Sequence, residues 1–167
     1  MLFNGNEIKI GKHNVGANSP CFIIAEAGVN HILKRKDLEH LGLESSLEVA
    51  FSLVDKAKEA GADAIKFQSF LAKNLQFTGT EKPKYQTRNI KESDLSYFNL
   101  LEKLETSRGN QKLIKEYCKS KNILFLSTPY DCDSADFLDV TLNIDAFKLA
   151  SIELNNHLFL EYIGKKN

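Results

Sequence analysis

Four short segments, each an apolar run that meets polar residues, constrain the fold of this 167-residue chain most strongly. They are residues 21–25, 62–68, 123–127 and 147–153. Each is shorter than an ordinary helix and has the apolar run expected of a buried strand. Segments with the spacing of amphipathic helices lie between them. Because strands that alternate with helices form parallel sheets with right-handed crossovers, the sequence predicts an α/β fold.

Capping residues and periodicity predict the other elements. Residues 7–15 are expected to form a β-hairpin that covers the bottom of the domain. Helices are predicted from Ser45 or Ser46 to Gly61, from Ser93 to Leu104, from Asn110 to Ser120, from Ser134 to Val140 and from His157 to Ile163. This order of elements predicts a (β/α) barrel of the TIM type, of which residues 1–167 would supply about the first four βα units.

The composition argues against several classes of function. Lys and Arg together number 22, as do Asp and Glu, so no excess charge favours nucleic acid or an acidic membrane surface. No glycine-rich dinucleotide fingerprint follows the first strand, no apolar run approaches the roughly 18 residues of a membrane span, and no signal-peptide core is apparent. The three cysteines are widely spaced. We therefore expect a cytoplasmic protein with free thiols.

Polar side chains gather where the predicted strands end. In residues 62–68, Ile65 and Phe67 share one face, which is expected to pack on helices. Ala64, Lys66 and Gln68 share the other face, which would point inward in a barrel. In a parallel barrel the strand ends converge on one face, which is where active sites of such enzymes lie. Two lysines and nearby hydroxyls suit a substrate that carries phosphate and carboxylate, and two carboxylates can orient sugar hydroxyls or move protons. The candidate residues are Glu26, Asn30, His31, Lys66, Gln68, Ser127, Thr128, Lys148, Ser151 and Glu153.

Other interpretations of these residues remain open at this stage. A buried lysine and a glutamate can form a purely structural ion pair, and Ser127-Thr128 can be a turn bonded to its own backbone. A Schiff-base aldolase would use Lys148 or Lys66 as its nucleophile. The long polar segment 69–92, with Tyr85 and Gln86, is either loop surface or a substrate lid. His31 could also be a metal ligand, but no second histidine or acidic residue lies at the sequence spacing typical of a metal site.

Four motifs together resemble the sialic acid synthase family, which includes N-acetylneuraminate, legionaminate and pseudaminate synthases. The resemblance covers nearly the whole chain, in the order found in that family. The motifs are Ile24-Ala25-Glu26-Ala27-Gly28-Val29-Asn30-His31, Ala60-Gly61-Ala62-Asp63-Ala64-Ile65-Lys66-Phe67-Gln68, Phe125-Leu126-Ser127-Thr128-Pro129-Tyr130-Asp131 and Phe147-Lys148-Leu149-Ala150-Ser151-Ile152-Glu153-Leu154-Asn155-Asn156.

The resemblance implies a TIM-barrel enzyme that condenses phosphoenolpyruvate with an N-acetylated amino-sugar aldehyde, such as N-acetylmannosamine. The products would be a nonulosonic acid and phosphate, and a divalent metal, typically manganese, would be required. The residues that would hold phosphoenolpyruvate are Lys66, Thr128, Lys148 and Ser151. Lys148 would also serve catalysis with Glu26 and Glu153, which would handle the metal-bound water, the sugar hydroxyls or proton transfer. Gln68, Asn30 and Tyr85 would lie near the sugar.

Two departures from the family pattern qualify this expectation. Residues 32–46 form a longer link after the first strand than the family usually has, and the sequence does not identify the amino sugar. The family's metal-binding histidines and its antifreeze-like domain are expected beyond residue 167, so the chain is expected to be the N-terminal half of a synthase. Its open sheet edges would pair with the remainder of a longer chain or in a homo-oligomer. The alternative is a non-catalytic half barrel that binds an anion or a partner without turnover.

Overall fold

A parallel three-stranded sheet with helices on one side forms the centre of the computed structural model, which describes residues 7–32, 45–75 and 97–166. The strands are β1 (Ile8–Ile10), β2 (His13–Val15), β3 (Ile24–Gly28), β4 (Ala64–Ser69) and β5 (Leu124–Pro129). The helices are α1 (Ser46–Glu59), α2 (Ala72–Leu75), α3 (Tyr97–Leu104), α4 (Arg108–Ser120), α5 (Cys132–Asp136, continued as a π-helical turn over Phe137–Thr141) and α6 (His157–Gly164). The predicted α/β class is confirmed.

The sheet has the order β3-β4-β5, so strands that follow one another in the chain are also neighbours in space. Glu26 on β3 lies opposite Lys66 on β4, and Gln68 on β4 lies opposite Thr128 on β5. Since side chains alternate along a strand, this register places the polar positions of three strands on one face. We call it the inner face, and the face covered by helices the outer face.

The hydrophobic core lies between the outer face and helices α1 and α4. Ile65, Phe67 and Phe125 from the strands pack there against Val54 of α1 and Ile114 of α4. Helix α1 begins where the sequence predicted, because the side chains of Ser45 and Glu48 form a reciprocal capping box. The predicted face assignment of the second strand, with Ile65 and Phe67 towards the helices, is correct.

Strands β1 and β2 pair antiparallel in the segment predicted to be a hairpin. The turn between them lies against the N-terminal end of β5, where a Cβ on Gly11 would come within 2.8 Å of Leu124 Cδ2. His13 Nδ1 lies 3.4 Å from Asp63 Oδ1, just before β4. The Lys12 ammonium donates a hydrogen bond to the Asn122 side chain. These contacts close the end of the sheet opposite the predicted site.

The first strand lies three residues further along the chain than the apolar run predicted. The Asp63 carboxylate accepts a hydrogen bond from Ile23 N at 2.8 Å, and Ile23 O accepts one from Asp63 N at 2.9 Å. These bonds set the start of the parallel ladder at Ile24, so Cys21 is exposed rather than buried in a strand. The long-range pairing, and not the apolar run, decides where β3 begins.

The predicted fourth strand over 147–153 is wrong. A single parallel bridge joins Phe147 to Ser127 of β5, and Ser151–Glu153 is a short 3₁₀ turn. Within the described residues this bridge does not extend into a ladder with β5. Lys148 is exposed as a result, and Ile152 is 72% exposed.

The other helix predictions hold with shifted ends. Helix α4 starts at Arg108, two residues before the predicted start, because the Ser107 side chain caps it. Helix α5 starts at Cys132 because the Asp131 side chain accepts a hydrogen bond from Ser134 N. The short helix α2 was not predicted, and residues 93–96 of the predicted third helix lie outside the described residues. In the part of the chain that the structure describes, no helix is long and apolar enough to cross a membrane.

Candidate functional site

The centre of the candidate site is an ion pair between the ammonium of Lys66 and the carboxylate of Glu26. These residues are direct partners across β3 and β4. The Lys66 side chain is 8% exposed, whereas the Glu26 side chain is 54% exposed. A buried ammonium is costly without a partner, and this pair supplies one while leaving the carboxylate open to solvent. A ligand that approaches the inner face therefore meets Glu26 first and Lys66 behind it.

Thr128 completes the group from the third strand. Its hydroxyl accepts a hydrogen bond from Lys66 Nζ at 3.4 Å, and the residue is almost wholly buried. Glu26, Lys66 and Thr128 thus come from three adjacent parallel strands, and the structure brings these three predicted site residues together. An ammonium beside a hydroxyl is suited to bind an oxyanion such as a phosphate or a carboxylate.

Gly28 and Gln68 lie beside this group. Gly28 has a φ of +55°, a conformation that residues with a side chain rarely adopt, and it sits at an irregularity in the β3–β4 ladder. A Cβ at this position would lie 3.4 Å from Glu26 Oε1 and 3.5 Å from Gln68 Nε2. These are ordinary van der Waals distances, so the positive φ, and not a lack of space, favours glycine at this position.

Ser127, also collected with the strand ends, does not belong to the site. Its side chain lies on the outer face, where its hydroxyl is 2.7 Å from the hydroxyl of Ser69. Ser69 donates in turn to Gln111 Oε1 at 2.7 Å, and Gln111 Nε2 donates to the Thr106 carbonyl at 2.8 Å. The network satisfies these buried polar groups internally. Ser127 and Thr128 are neighbours in sequence but face opposite sides of β5, as strand geometry requires.

The fourth predicted strand end is separate from this group. Lys148 and Ser151 are exposed, and Glu153 accepts a hydrogen bond from Asn156 Nδ2 at 2.7 Å. Among the described residues no hydrogen bond or ion pair connects Lys148, Ser151 or Glu153 to the group at Lys66. The prediction that Lys148 lies buried in a strand is wrong, because the segment around it forms one bridge and not a strand.

The loop after β3 places its two predicted residues differently. Asn30 is exposed, and its backbone N–H donates to Ala27 O at 3.1 Å. His31 is buried, with Nε2 3.1 Å from Thr106 Oγ1 and the ring edge against Phe67. Burial lowers the pKa of His31 to about 4. The imidazole is therefore neutral near pH 7 and connects the loop to the segment between α3 and α4.

A metal ion does not fit the described residues by themselves. No group of three His, Cys, Asp or Glu side chains in residues 7–32, 45–75 and 97–166 could hold one. His31 Nδ1 has no hydrogen-bond partner there, but no acidic or thiol group joins it in a ligand set. No catalytic step through a metal is therefore assigned to these residues. Tyr85, Gln86 and most of the 32–46 link lie outside the described residues.

Sequence reasoning gave no role to Asp131, although it lies in one of the motifs. The structure buries its carboxylate two residues after β5, where it accepts four hydrogen bonds. Its position three residues before Ser134 has the spacing of a helix N-cap, which is a signal that could have identified it.

Comparison with known proteins places the chain in a group of related enzymes. It matches the NeuB family over residues 53–167. It is 37% identical over 159 residues to the spore coat polysaccharide biosynthesis protein SpsE of Bacillus subtilis, a match that covers 95% of this chain and 38% of that protein. It is 40% identical over 151 residues to the N,N'-diacetyllegionaminic acid synthase of Legionella pneumophila, covering 90% of this chain and 38% of that synthase.

The fold agrees with a solved structure from the same group. The N-acetylneuraminic acid synthetase of Leptospira borgpetersenii superposes with a TM-score of 0.68 and 32% identity, and the match covers 95% of this chain and 46% of that chain. The chain therefore spans about two fifths of the length of the curated relatives it matches.

Proposed function

The chain belongs to the NeuB family, and we propose that its inner face forms the phosphoenolpyruvate end of a sialic-acid-type synthase site. The reaction is the condensation of phosphoenolpyruvate with an N-acetylated amino-sugar aldehyde, which gives a nonulosonic acid and phosphate. Support comes from relatives named as N,N'-diacetyllegionaminic acid, N-acetylneuraminate-9-phosphate and pseudaminic acid synthases. The observation that carries the proposal is the convergence of Glu26, Lys66 and Thr128 on the inner face of three adjacent strands.

The charges in this group suggest a division of roles. Lys66 and Thr128 are proposed to bind an oxyanion of phosphoenolpyruvate, because an ammonium and a hydroxyl together match its charge and hydrogen-bonding needs. Glu26, already paired with Lys66 and half exposed, would meet the second substrate. A carboxylate there can accept a proton or a sugar hydroxyl. Gln68, beside Gly28, is proposed to contact the sugar with Asn30 and Tyr85.

The reaction requires the two substrates to be held in a defined orientation relative to each other. C3 of phosphoenolpyruvate would form the new bond to the aldehyde carbon, water would add at C2, and the C2–O bond to phosphate would break to release phosphate. Holding both substrates in one orientation can supply much of the required lowering of the barrier. We propose that Lys148, Ser151 and Glu153 join the group when the sheet continues past Phe147, which already bridges β5 at Ser127.

Completion of the site is proposed to require more strands than the described residues contain. Residues 1–167 are proposed to be the N-terminal half of a (β/α)₈ barrel. Within the described residues β3 pairs with β4 on one side, so its other edge is available. The remainder of a longer chain or a second copy would supply the missing strands. The divalent metal, proposed to be manganese, would be held by residues outside the described ones, since these contain no ligand set.

The first experiment measures phosphoenolpyruvate binding by calorimetry with the 167-residue chain and with Lys66→Met. Methionine is an unbranched side chain that matches the aliphatic part of lysine and lacks the ammonium group. We expect the dissociation constant to rise at least about tenfold, equivalent to about 1.4 kcal/mol. Lys56→Met is the matched control, because Lys56 is an exposed lysine paired with Glu59. It should leave binding unchanged.

Phosphate release with manganese and a panel of N-acetylated hexosamines then tests the reaction. Sugar-dependent release identifies the amino sugar and supports a complete site. Binding without release supports the non-catalytic alternative for this chain. A folded wild-type chain that binds no phosphoenolpyruvate contradicts the proposal. Trapping with borohydride in the presence of the substrates would support a Schiff-base aldolase instead.

A further inference from the structure

Asp131 has a buried carboxylate that accepts four hydrogen bonds. It is 8% exposed and follows β5 by two residues. Its Oδ1 accepts from Ser134 N at 2.9 Å and from Asn74 Nδ2 at 3.1 Å. Its Oδ2 accepts from Leu71 N at 2.9 Å and from Ser134 Oγ at 2.8 Å. A buried carboxylate with both oxygens satisfied in this way has a single orientation.

These bonds join two loops that are distant in sequence. Leu71 lies two residues after β4, and Ser134 lies in α5 after β5. The backbone N–H of Tyr130 also donates to Ser69 O at 3.1 Å, so the loops separate just beyond that bond. Without Asp131 the ends of β4 and β5 would keep this backbone bond, the ring contact between Phe70 and Tyr130, and the bond from Asn74 to Asp133.

Two further contacts keep this connection in place. Arg108 Nη2 donates to Ser134 Oγ at 3.0 Å, so the Ser134 hydroxyl accepts from Arg108 while it donates to Asp131. Glu105 Oε2 accepts from Ala72 N at 2.8 Å, next to the bond from Leu71 N to Asp131. The backbone N–H groups of Leu71 and Ala72, at the start of α2, therefore bond to the carboxylates of Asp131 and Glu105, which lie in two different loops.

We propose that Asp131 is a positioning residue for the site: it fixes the C-terminal ends of β4 and β5 relative to each other. Gln68 and Thr128, which face each other across these strands, lie a few residues before the linked loops. Lys66 donates to Thr128 across the same pair of strands. The inference rests on the proposed function, because the geometry that Asp131 sets is that of the proposed phosphoenolpyruvate group.

Asp131→Asn tests this with a minimal change of shape. All four partners of the Asp131 carboxylate are hydrogen-bond donors and need an acceptor. An asparagine side chain has one acceptor oxygen in place of two. In either orientation of the amide, its NH₂ group meets a backbone N–H, of Leu71 or of Ser134. Asp133→Asn is the matched control: it removes the same charge two residues away, and Asp133 is exposed and accepts from Asn74 Nδ2 at 3.0 Å. Asn74→Ala removes the bonds that the Asn74 amide donates to Asp131 and to Asp133, but leaves three of the four bonds to Asp131, and serves as a milder variant.

Three measurements are made at a temperature at which all variants are folded. Amide hydrogen exchange at Leu71 or Ser134 should accelerate about tenfold in Asp131→Asn, since an N–H loses its acceptor. The NMR signals of the Thr128 methyl and the Gln68 side-chain amide should shift in the ligand-free chain. The dissociation constant of phosphoenolpyruvate should rise roughly tenfold, because small displacements of binding groups are costly. Asn74→Ala should change all three in the same direction and less, and Asp133→Asn should match the wild type.

Different outcomes separate this inference from the function on which it rests. Accelerated exchange with unchanged Thr128 and Gln68 signals would show that Asp131 is only a local helix cap and would overturn the inference. The same conclusion follows if Asp133→Asn matches Asp131→Asn in every measurement. If the wild-type chain binds no phosphoenolpyruvate, the proposed function fails, and the ligand-free signals still decide whether Asp131 positions the strand ends.

Discussion

The polar residues on the two faces of strands β4 and β5 differ in their hydrogen bonding and in their exposure to solvent. On the outer face, Ser69 bonds to Ser127 and to Gln111, and all of these groups are buried. On the inner face, Lys66 is buried but its partner Glu26 is half exposed. Buried polar groups that satisfy one another add stability and leave no capacity for a ligand. The group with a solvent-exposed member is the one that can bind.

Phe67→Ala should produce the largest effect and tests the outer face. Phe67 is buried between His31 and Phe125, and truncation leaves a cavity that costs about 3–5 kcal/mol. Urea unfolding measures the free energy of unfolding. The adjacent Gln68→Ala, on the inner face, should change it little, and equal losses for the two variants would refute the distinction between the faces.

His31 should make the stability of the chain sensitive to acid. Burial lowers its pKa from the ordinary 6.5 to about 4 in the folded state, so the unfolded chain takes up the proton more readily. The contribution of neutral, buried His31 to the free energy of unfolding is fully present above about pH 6.5 and is lost as the pH falls through about 4. It amounts to on the order of 3 kcal/mol.

His31→Gln should therefore flatten the loss of stability between pH 7 and pH 4 relative to the wild type. Glutamine can still bond to Thr106 but takes up no proton. The measurement is urea unfolding at several pH values, and the exposed His157→Gln is the control that should keep the wild-type profile. Parallel profiles for wild type and His31→Gln would contradict the role given to burial.

Gln111→Leu should have an intermediate effect. The change leaves the Ser69 hydroxyl and the Thr106 carbonyl without the bonds that Gln111 makes, which costs about 1–3 kcal/mol. Phosphoenolpyruvate binding, measured on the folded variant, should stay at the wild-type value because the network lies on the outer face. Lys112→Ala, at the exposed neighbouring position of α4, is the control for stability. A binding loss in Gln111→Leu would show that the two faces are coupled.

Lys66→Met should have the smallest effect on stability, about 1 kcal/mol or less, although it should have a large effect on binding. Removing the ammonium leaves Glu26, but that carboxylate is half exposed and can be solvated. Thermal unfolding of Lys66→Met and of the control Lys56→Met measures the difference. A large destabilisation confined to Lys66→Met would favour the interpretation of the ion pair as a structural element.

Local patterns in the sequence predicted several features correctly. The alternation of Ile65, Lys66, Phe67 and Gln68 assigned the faces of β4, and Ser45 marked the start of α1. The same alternation applied to β5 would have separated Ser127 from Thr128. These features depend on side chains a few residues apart, so periodicity and capping are sufficient to predict them.

Other features depended on residues that are far apart in the chain. The start of β3 is set by Asp63, about forty residues later. The segment at Phe147 makes one bridge to Ser127, which precedes it by twenty residues, and does not form a ladder. Asp131 meets Leu71 across 60 positions. The spacing of polar residues carries no information about such partners.

The sequence alone therefore determined that strands alternate with helices and which side chains within a strand share a face, because these follow from the geometry of a single element. The tertiary structure alone decided that Glu26, Lys66 and Thr128 meet while Lys148 does not join them. That choice depends on the register between strands and on which segments pair, and both are set by long-range hydrogen bonds and core packing.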